Sequence, residues 1–148
     1  MQRKPKVLFF STGNATRSRM AAALLRRLSG DRLGAASTAV KSVEANPMAA
    51  EVMREVGLDI NAQEAKPVAQ SLKEHFAVVV TLSDDAKERS PVWPFTPSLV
   101  HWNLPDPPTS DGAPEQQREM LRRLRDEIAR RVTDLANRVV PQFEAQRR

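Results

Sequence analysis

The stretch Val7-Leu8-Phe9-Phe10-Ser11-Thr12-Gly13-Asn14-Ala15-Thr16-Arg17-Ser18-Arg19-Met20-Ala21 changes its hydrophobic period part-way along, and the fold turns on that change. Val7 to Phe10 is a short continuous apolar run, which suits a strand covered on both faces in a parallel sheet. Ser11-Thr12-Gly13-Asn14 ends the run as a tight loop. Beyond it Met20, Ala21, Leu24, Leu25 and Leu28 share one face of a helix that stops at Ser29-Gly30. The same alternation repeats outward from there. Ala35 to Val40 reads as a weaker strand, and Asn46-Pro47 opens a helix with Ala49, Val52, Met53 and Val56 on one side, closed by Gly57.

Phe76-Ala77-Val78-Val79-Val80-Thr81-Leu82 is the strongest strand and belongs in the middle of the sheet. Ser83-Asp84-Asp85-Ala86 follows it as a loop and helix start. Pro91, Pro94 and Pro97 make the next stretch irregular; Ser98-Leu99-Val100-His101-Trp102 is then a fourth strand running into the loop Leu104-Pro105-Asp106-Pro107-Pro108. From Pro114 to about Val140, Met120 or Leu121, Leu124, Ile128, Val132, Leu135 and Val139 recur at three- or four-residue steps, so a long amphipathic helix closes the chain. No internal repeat or low-complexity linker interrupts the pattern. It predicts a single domain over residues 1–148, an α/β three-layer sandwich around a four-stranded parallel sheet with right-handed crossovers.

Composition narrows the chemistry. The 148 residues include no cysteine, which removes disulfides, cysteine-ligated metal centres and any thiolate nucleophile of the chain's own. Twenty-three Lys and Arg against eighteen Asp and Glu give a net charge of +5, which favours anionic partners in general. The excess sits in Arg26-Arg27, Arg122-Arg123, Arg125, Arg130-Arg131 and Arg147-Arg148, interleaved with acids; aromatics are 5% and Tyr is absent, so a dedicated nucleic-acid surface is not expected. No apolar run approaches the roughly 20 residues that span a bilayer. Met1 to Lys6 leads straight into a strand instead of a signal-peptide core, so the expectation is a cytoplasmic protein without a membrane partner.

In a parallel sheet, ligands bind beyond the carboxyl ends of the strands where strand order switches, which gathers Ser11–Ser18, Ser83–Ser90 and Leu104–Pro107. The small-residue loop Ser11-Thr12-Gly13-Asn14-Ala15-Thr16, running into a helix near Arg17-Ser18, can aim successive N–H groups inward as an anion nest. The Arg17 fork can close the ring with two charge-assisted hydrogen bonds, and the helix dipole adds to the field. The expected guest is a tetrahedral oxyanion, with no cofactor and no metal. The loop is neither a Walker A sequence nor a dinucleotide fingerprint, so the residues alone leave open a plain turn with Ser18 as a helix cap.

The segment resembles the signature of the low-molecular-weight protein tyrosine phosphatase superfamily, and more closely its thioredoxin-coupled arsenate reductases, which read approximately V-C-x-G-N-x-C-R-S-x-M-A here. The likeness continues in order through Asn46-Pro47, Val79-Val80-Thr81-Leu82-Ser83-Asp84-Asp85-Ala86, Pro91, His101-Trp102, Asp106-Pro107 and Arg125-Asp126-Glu127-Ile128. The resemblance implies that the nucleophilic cysteine falls on Ser11, two redox-relay cysteines on Ser83 and Ser90, and a further loop cysteine on Thr16. It also implies that Arg17 and the backbone of Thr12, Gly13, Asn14, Ala15 and Thr16 bind arsenate, phosphate or sulfate, that Asn14 braces the loop, that Ser18 hydrogen-bonds the attacking group, and that Asp106 is the general acid. A serine hydroxyl stays protonated where a thiol would ionise, no His in the motif is placed as its base, and serines cannot form the relay disulfides. The acids that hold potassium in some of these reductases fall on Ala22 and Lys66, so the Lys66 ammonium would stand in the ion's place. Family precedent favours a monomer.

His75 and His101 read as surface and strand-end residues, since neither has a second ligand at helical spacing. Asp84-Asp85 read as caps that complement a helix dipole, and Trp93 and Trp102 as packing. The leading expectation is an arsenate reductase-like protein that binds arsenate or phosphate without thiol-based turnover. The alternatives are a weak Ser11/Asp106 phosphatase, an arsenate reductase fed by thioredoxin or a low-molecular-weight thiol, and a basic interaction module. Engineered substrate-trapping serines would suit positions 11, 83 and 90, but not Thr16, Ala22 or Lys66.

Overall fold

The computed structural model describes residues 4–30, 32–40, 44–62, 65–94, 98–108 and 112–146. Met1, Pro97 and Arg147-Arg148, named above, lie outside the described residues. The elements in order are β1 (Lys6–Ser11), α1 (Thr16–Ser29), β2 (Gly34–Ala39), α2 (Pro47–Arg54), β3 (Ala65–Pro67), α3 (Val68–Ser71), β4 (Val78–Thr81), α4 (Asp84–Arg89), β5 (Ser98–His101) and α5 (Pro114–Gln146).

The strands form one parallel sheet in the order β3-β2-β1-β4-β5. The chain builds outward from β1 on one side, then returns to lay β4 against its other flank. The switch in strand order therefore falls between β1 and β4, where a crevice opens beyond their carboxyl ends. The apolar run in β1 is explained by its two faces, because successive side chains point opposite ways. Val7 and Phe9 enter a core with Met20, Leu25, Val52, Met53, Leu121 and Ile128 from α1, α2 and α5. Leu8 and Phe10 enter a second core with Phe76, Val79, Ala86 and Trp93. Phe9 meets Trp102 at 5.8 Å and Phe10 meets Trp93 edge-on at 5.6 Å, which gives both tryptophans the packing role expected of them.

The sheet has five strands where the sequence pattern shows four. The added strand, β3, is three residues long, too short to carry a period, and it keeps Pro67 because an edge strand tolerates a missing donor. In α1 the buried face is rotated from the expected one: Leu28 is 40% exposed, while Ser29 is buried and its hydroxyl donates to the Leu25 carbonyl at 2.8 Å. Val56 lies past the end of α2, in the turn that Gly57 closes with φ +80°. Of the two residues left open at the start of α5, Leu121 is buried and Met120 exposed. The helix also continues through Pro141 to Gln146, because Phe143 packs against the core and outweighs the lost backbone bond.

Charged pairs bind α5 to α2. Glu55, just past α2, accepts from Arg122 at 2.8 Å and from Arg125 at 2.9 Å, and Arg118 donates to Glu51 at 3.0 Å. The basic cluster on this face is thus matched by acids. Hydrogen bonds from Arg122 and Arg125 hold the Glu55 carboxyl down at about 2, against an ordinary 4.5. A carboxyl with a lowered folded-state pKa adds stability in full above its unfolded value and loses it as pH falls toward the folded one. Urea denaturation across this window should therefore show wild-type stability falling with a slope that Glu55→Gln reduces, the remainder coming from groups such as Glu74 and Glu127, while the two proteins differ most at neutral pH.

Candidate functional site

Ser11 ends β1 between β2 and β4, so residues 12–15 rise from the switch point and α1 begins at Thr16 with its N-terminus over the crevice. Gly13 adopts φ +29°, a conformation that L side chains rarely take, and this tightens the turn. Asn14 braces the loop as the resemblance implies: its side-chain oxygen accepts the Thr16 N–H at 3.1 Å. The Ala15 N–H is also committed, to the Glu44 carbonyl at 2.7 Å. This corrects the expected nest. Ala15 and Thr16 spend their amides inside the protein, whereas no acceptor among the described residues takes the N–H of Thr12, Gly13 or Arg17.

Arg17 is only 6% exposed, and its guanidinium reaches the Leu104 carbonyl at 3.4 Å and the Asp106 carboxylate at 3.4 Å. Burial lowers its pKa, and the charges of Asp106 and Asp85 oppose that shift. A guanidinium starts so high that it stays cationic at any ordinary pH. Arg17, Thr12, Gly13, Ser83 and Asp106 line one cleft of about 610 Å³, together with Asp84, Asp85 and Arg89. Arg89 pairs with Asp85 at 2.9 Å and His101 with Asp84 at 2.9 Å, so Arg17 supplies the charge at the base of the loop.

Other expected residues stand elsewhere. Ser11 is fully buried and does not line the cleft; its hydroxyl donates to the Asn14 carbonyl at 3.2 Å. Ser18 donates to the Ala15 carbonyl at 3.2 Å, so its hydroxyl serves the loop backbone and not Ser11. Ser83 caps α4, accepting the Ala86 N–H at 3.1 Å, a task the sequence reading gave to Asp84 and Asp85. Ser90, at the far end of α4, accepts from the Trp93 indole at 2.8 Å and lies outside the cleft. Lys66 does not reach the loop. Its ammonium meets Glu74 at 3.3 Å, and Glu74 also holds Lys6 at the start of β1, the end opposite Ser11.

Three contributors escaped the sequence reading. The Leu104 carbonyl, which takes Arg17, carries no side-chain signal. Asn46 announced a helix start, yet its own N–H also donates to the Thr16 hydroxyl at 2.8 Å. His101, expected as a strand-end residue, bridges the Thr81 hydroxyl at 2.7 Å and Asp84 at 2.9 Å. No cluster of three or more potential metal ligands occurs among the described residues, and none of the described helices is long and apolar enough to cross a membrane.

The sequence profile described as "Low molecular weight phosphotyrosine protein phosphatase" matches residues 6–145. The chain belongs to that family. An arsenate reductase of Halalkalibacterium halodurans is 34% identical over 133 residues, which are 90% of this chain and 96% of that protein. A solved arsenate reductase in the phosphate binding state superposes with a TM-score of 0.76 at 27% identity, covering 91% of this chain and 98% of that one. A Corynebacterium glutamicum thioredoxin-dependent arsenate reductase shares the fold with a TM-score of 0.71 at 23% identity, covering 92% of this chain and 62% of that one. The chain itself has no cysteine.

Because Ser83 acts as a helix cap in this family member, Ser83→Ala should cost about 1 kcal/mol of unfolding free energy, and Ser83→Asp should recover most of it. Urea denaturation of the three proteins checks the pair.

Proposed function

We propose that the chain is an arsenate reductase-like protein that binds a tetrahedral oxyanion, arsenate, phosphate or sulfate, against Arg17 and does not reduce arsenate with thiols of its own. The observation that carries this reading is the buried Arg17 guanidinium lining an open cleft beneath the N-terminus of α1. An arriving oxyanion takes Arg17 from Asp106, whose exposed carboxylate swings toward solvent and, once it has taken up a proton from water, can pass that proton to the bound group. The N–H groups of Thr12, Gly13 and Arg17, together with the helix dipole, complete the coordination.

Self-sufficient reduction lacks both its nucleophile and its relay. The Ser11 hydroxyl is buried on the Asn14 carbonyl with no base beside it, which also counts against a Ser11 phosphatase. Ser83 and Ser90 are occupied as a cap and an indole acceptor, and no disulfide can form between them.

A second reading follows from the size of the cleft. At about 610 Å³ it holds far more than one oxyanion, which leaves room for a thiol from thioredoxin or a small molecule to attack arsenic bound at Arg17. The acid–arginine pairing on α2 and α5 counts against the basic interaction module.

Titration calorimetry should show arsenate and phosphate binding competitively, with Arg17→Ala weakening both at least tenfold and Arg17→Lys falling between. Absence of binding to wild type, or indifference to Arg17→Ala, overturns the proposal. Arsenite formation should be nil with the protein and arsenate alone. Formation that depends on added thioredoxin or glutathione, and is lost in Arg17→Ala, establishes the second reading.

A further inference from the structure

The oxyanion loop has β1 on one side and α1 on the other, but what fixes its outer edge is the segment that leads into α2. Two hydrogen bonds make the junction: the Ala15 N–H donates to the Glu44 carbonyl at 2.7 Å, and the Asn46 N–H donates to the Thr16 hydroxyl at 2.8 Å. Thr16 is fully buried, so the hydroxyl has no water to replace Asn46. Asn46 is itself immobilised, because its side-chain oxygen caps α2 by accepting the Met48 N–H at 2.8 Å and Pro47 fixes the first helical residue. Its amide nitrogen extends to the Pro108 carbonyl at 3.5 Å, two residues beyond Asp106. One asparagine thus touches the loop that presents Arg17 and the segment that presents Asp106.

We infer that Thr16 and Asn46 are positioning residues that set the affinity of the Arg17 cleft for a tetrahedral oxyanion, by pinning the loop to α2 before the ligand arrives. The inference rests on the oxyanion-binding reading above. Its physical content is preorganisation: a loop already held in its binding shape loses less freedom when the anion docks. The hydroxyl is the specific requirement. A methyl group in its place accepts nothing, and sulfur accepts weakly, so the half-buried Asn46 N–H would lose its partner and the loop its outer anchor.

The test compares Thr16→Val, which keeps the shape and deletes the acceptor, with Thr16→Ser, which keeps the hydroxyl. Phosphate dissociation constants are measured by calorimetry well below each melting temperature, and exchange of the Asn46 amide is followed by NMR without ligand. Thr16→Val should weaken phosphate binding roughly tenfold and speed Asn46 exchange, and Thr16→Ser should recover most of both. Glu55→Gln, which loosens α2 from α5 away from the loop, should leave the phosphate constant unchanged. Should Thr16→Val fail to fold, Thr16→Cys serves in its place, with a smaller effect of the same sign. Wild-type binding that is indifferent to Thr16→Val, or equally weakened by Glu55→Gln, overturns this inference and leaves oxyanion binding standing. A wild type that binds neither phosphate nor arsenate overturns both.

Discussion

A guanidinium that is nine-tenths buried needs acceptors on every side it turns inward, and Arg17 organises the molecule around that need. It springs from the first turn of α1, lies at the carboxyl end of β1, and is met by the Leu104 carbonyl and the Asp106 carboxylate from the connection after β5. The strand order makes this meeting possible, since β4 returns to the flank of β1 and brings the later loops over the earlier one. The double-sided burial of Val7 to Phe10 then fixes β1 as the floor from which the loop rises.

The hydroxyls at the positions where the family resemblance implies thiols are all engaged. Ser11 bonds the Asn14 carbonyl, Thr16 accepts from Asn46, Ser83 caps α4, and Ser90 accepts the Trp93 indole. Hydroxyl oxygens are much better donors and acceptors than sulfur, which suits these side chains to the hydrogen bonds they make. Thr16 shows this most clearly, because its bond joins the loop to α2. On the proposed reading, what goes with the thiols is redox and nucleophilic chemistry. The retained feature is electrostatic: a fixed positive charge and a helix terminus facing a cleft.

Much of the fold was legible because it rests on local periodicity. β1, α1, β4 and α5 each show their period in consecutive residues, and Asn46-Pro47 marks a helix start by its own cap chemistry. β3 and α3 were not legible, since three or four residues carry no period and take their form from the neighbouring strand and turn. Leu28 and Ser29 exchanged places because the rotation of a helix against its neighbours is set by packing between elements. In the site, Gly13 and Arg17 could be picked out from the loop's residue types and spacing, and Asn14 and Asp106 from the family resemblance. The committed amides of Ala15 and Thr16 could not, as their acceptors are a carbonyl 29 residues away and a side chain that also had other uses.

By itself the sequence determined the parallel α/β class, the position of the loop between β1 and α1 and the absence of any thiol, because these depend on residue identity and short-range pattern. Only the tertiary structure decided that Ser11 is sealed beneath the loop, that the Lys66 ammonium is held by Glu74, and that Asn46 joins the loop to α2. Those outcomes depend on which distant backbone carbonyls and carboxylates arrive beside each polar group. Burial forces every such group to find a partner, and the partner is named by the path of the chain through space.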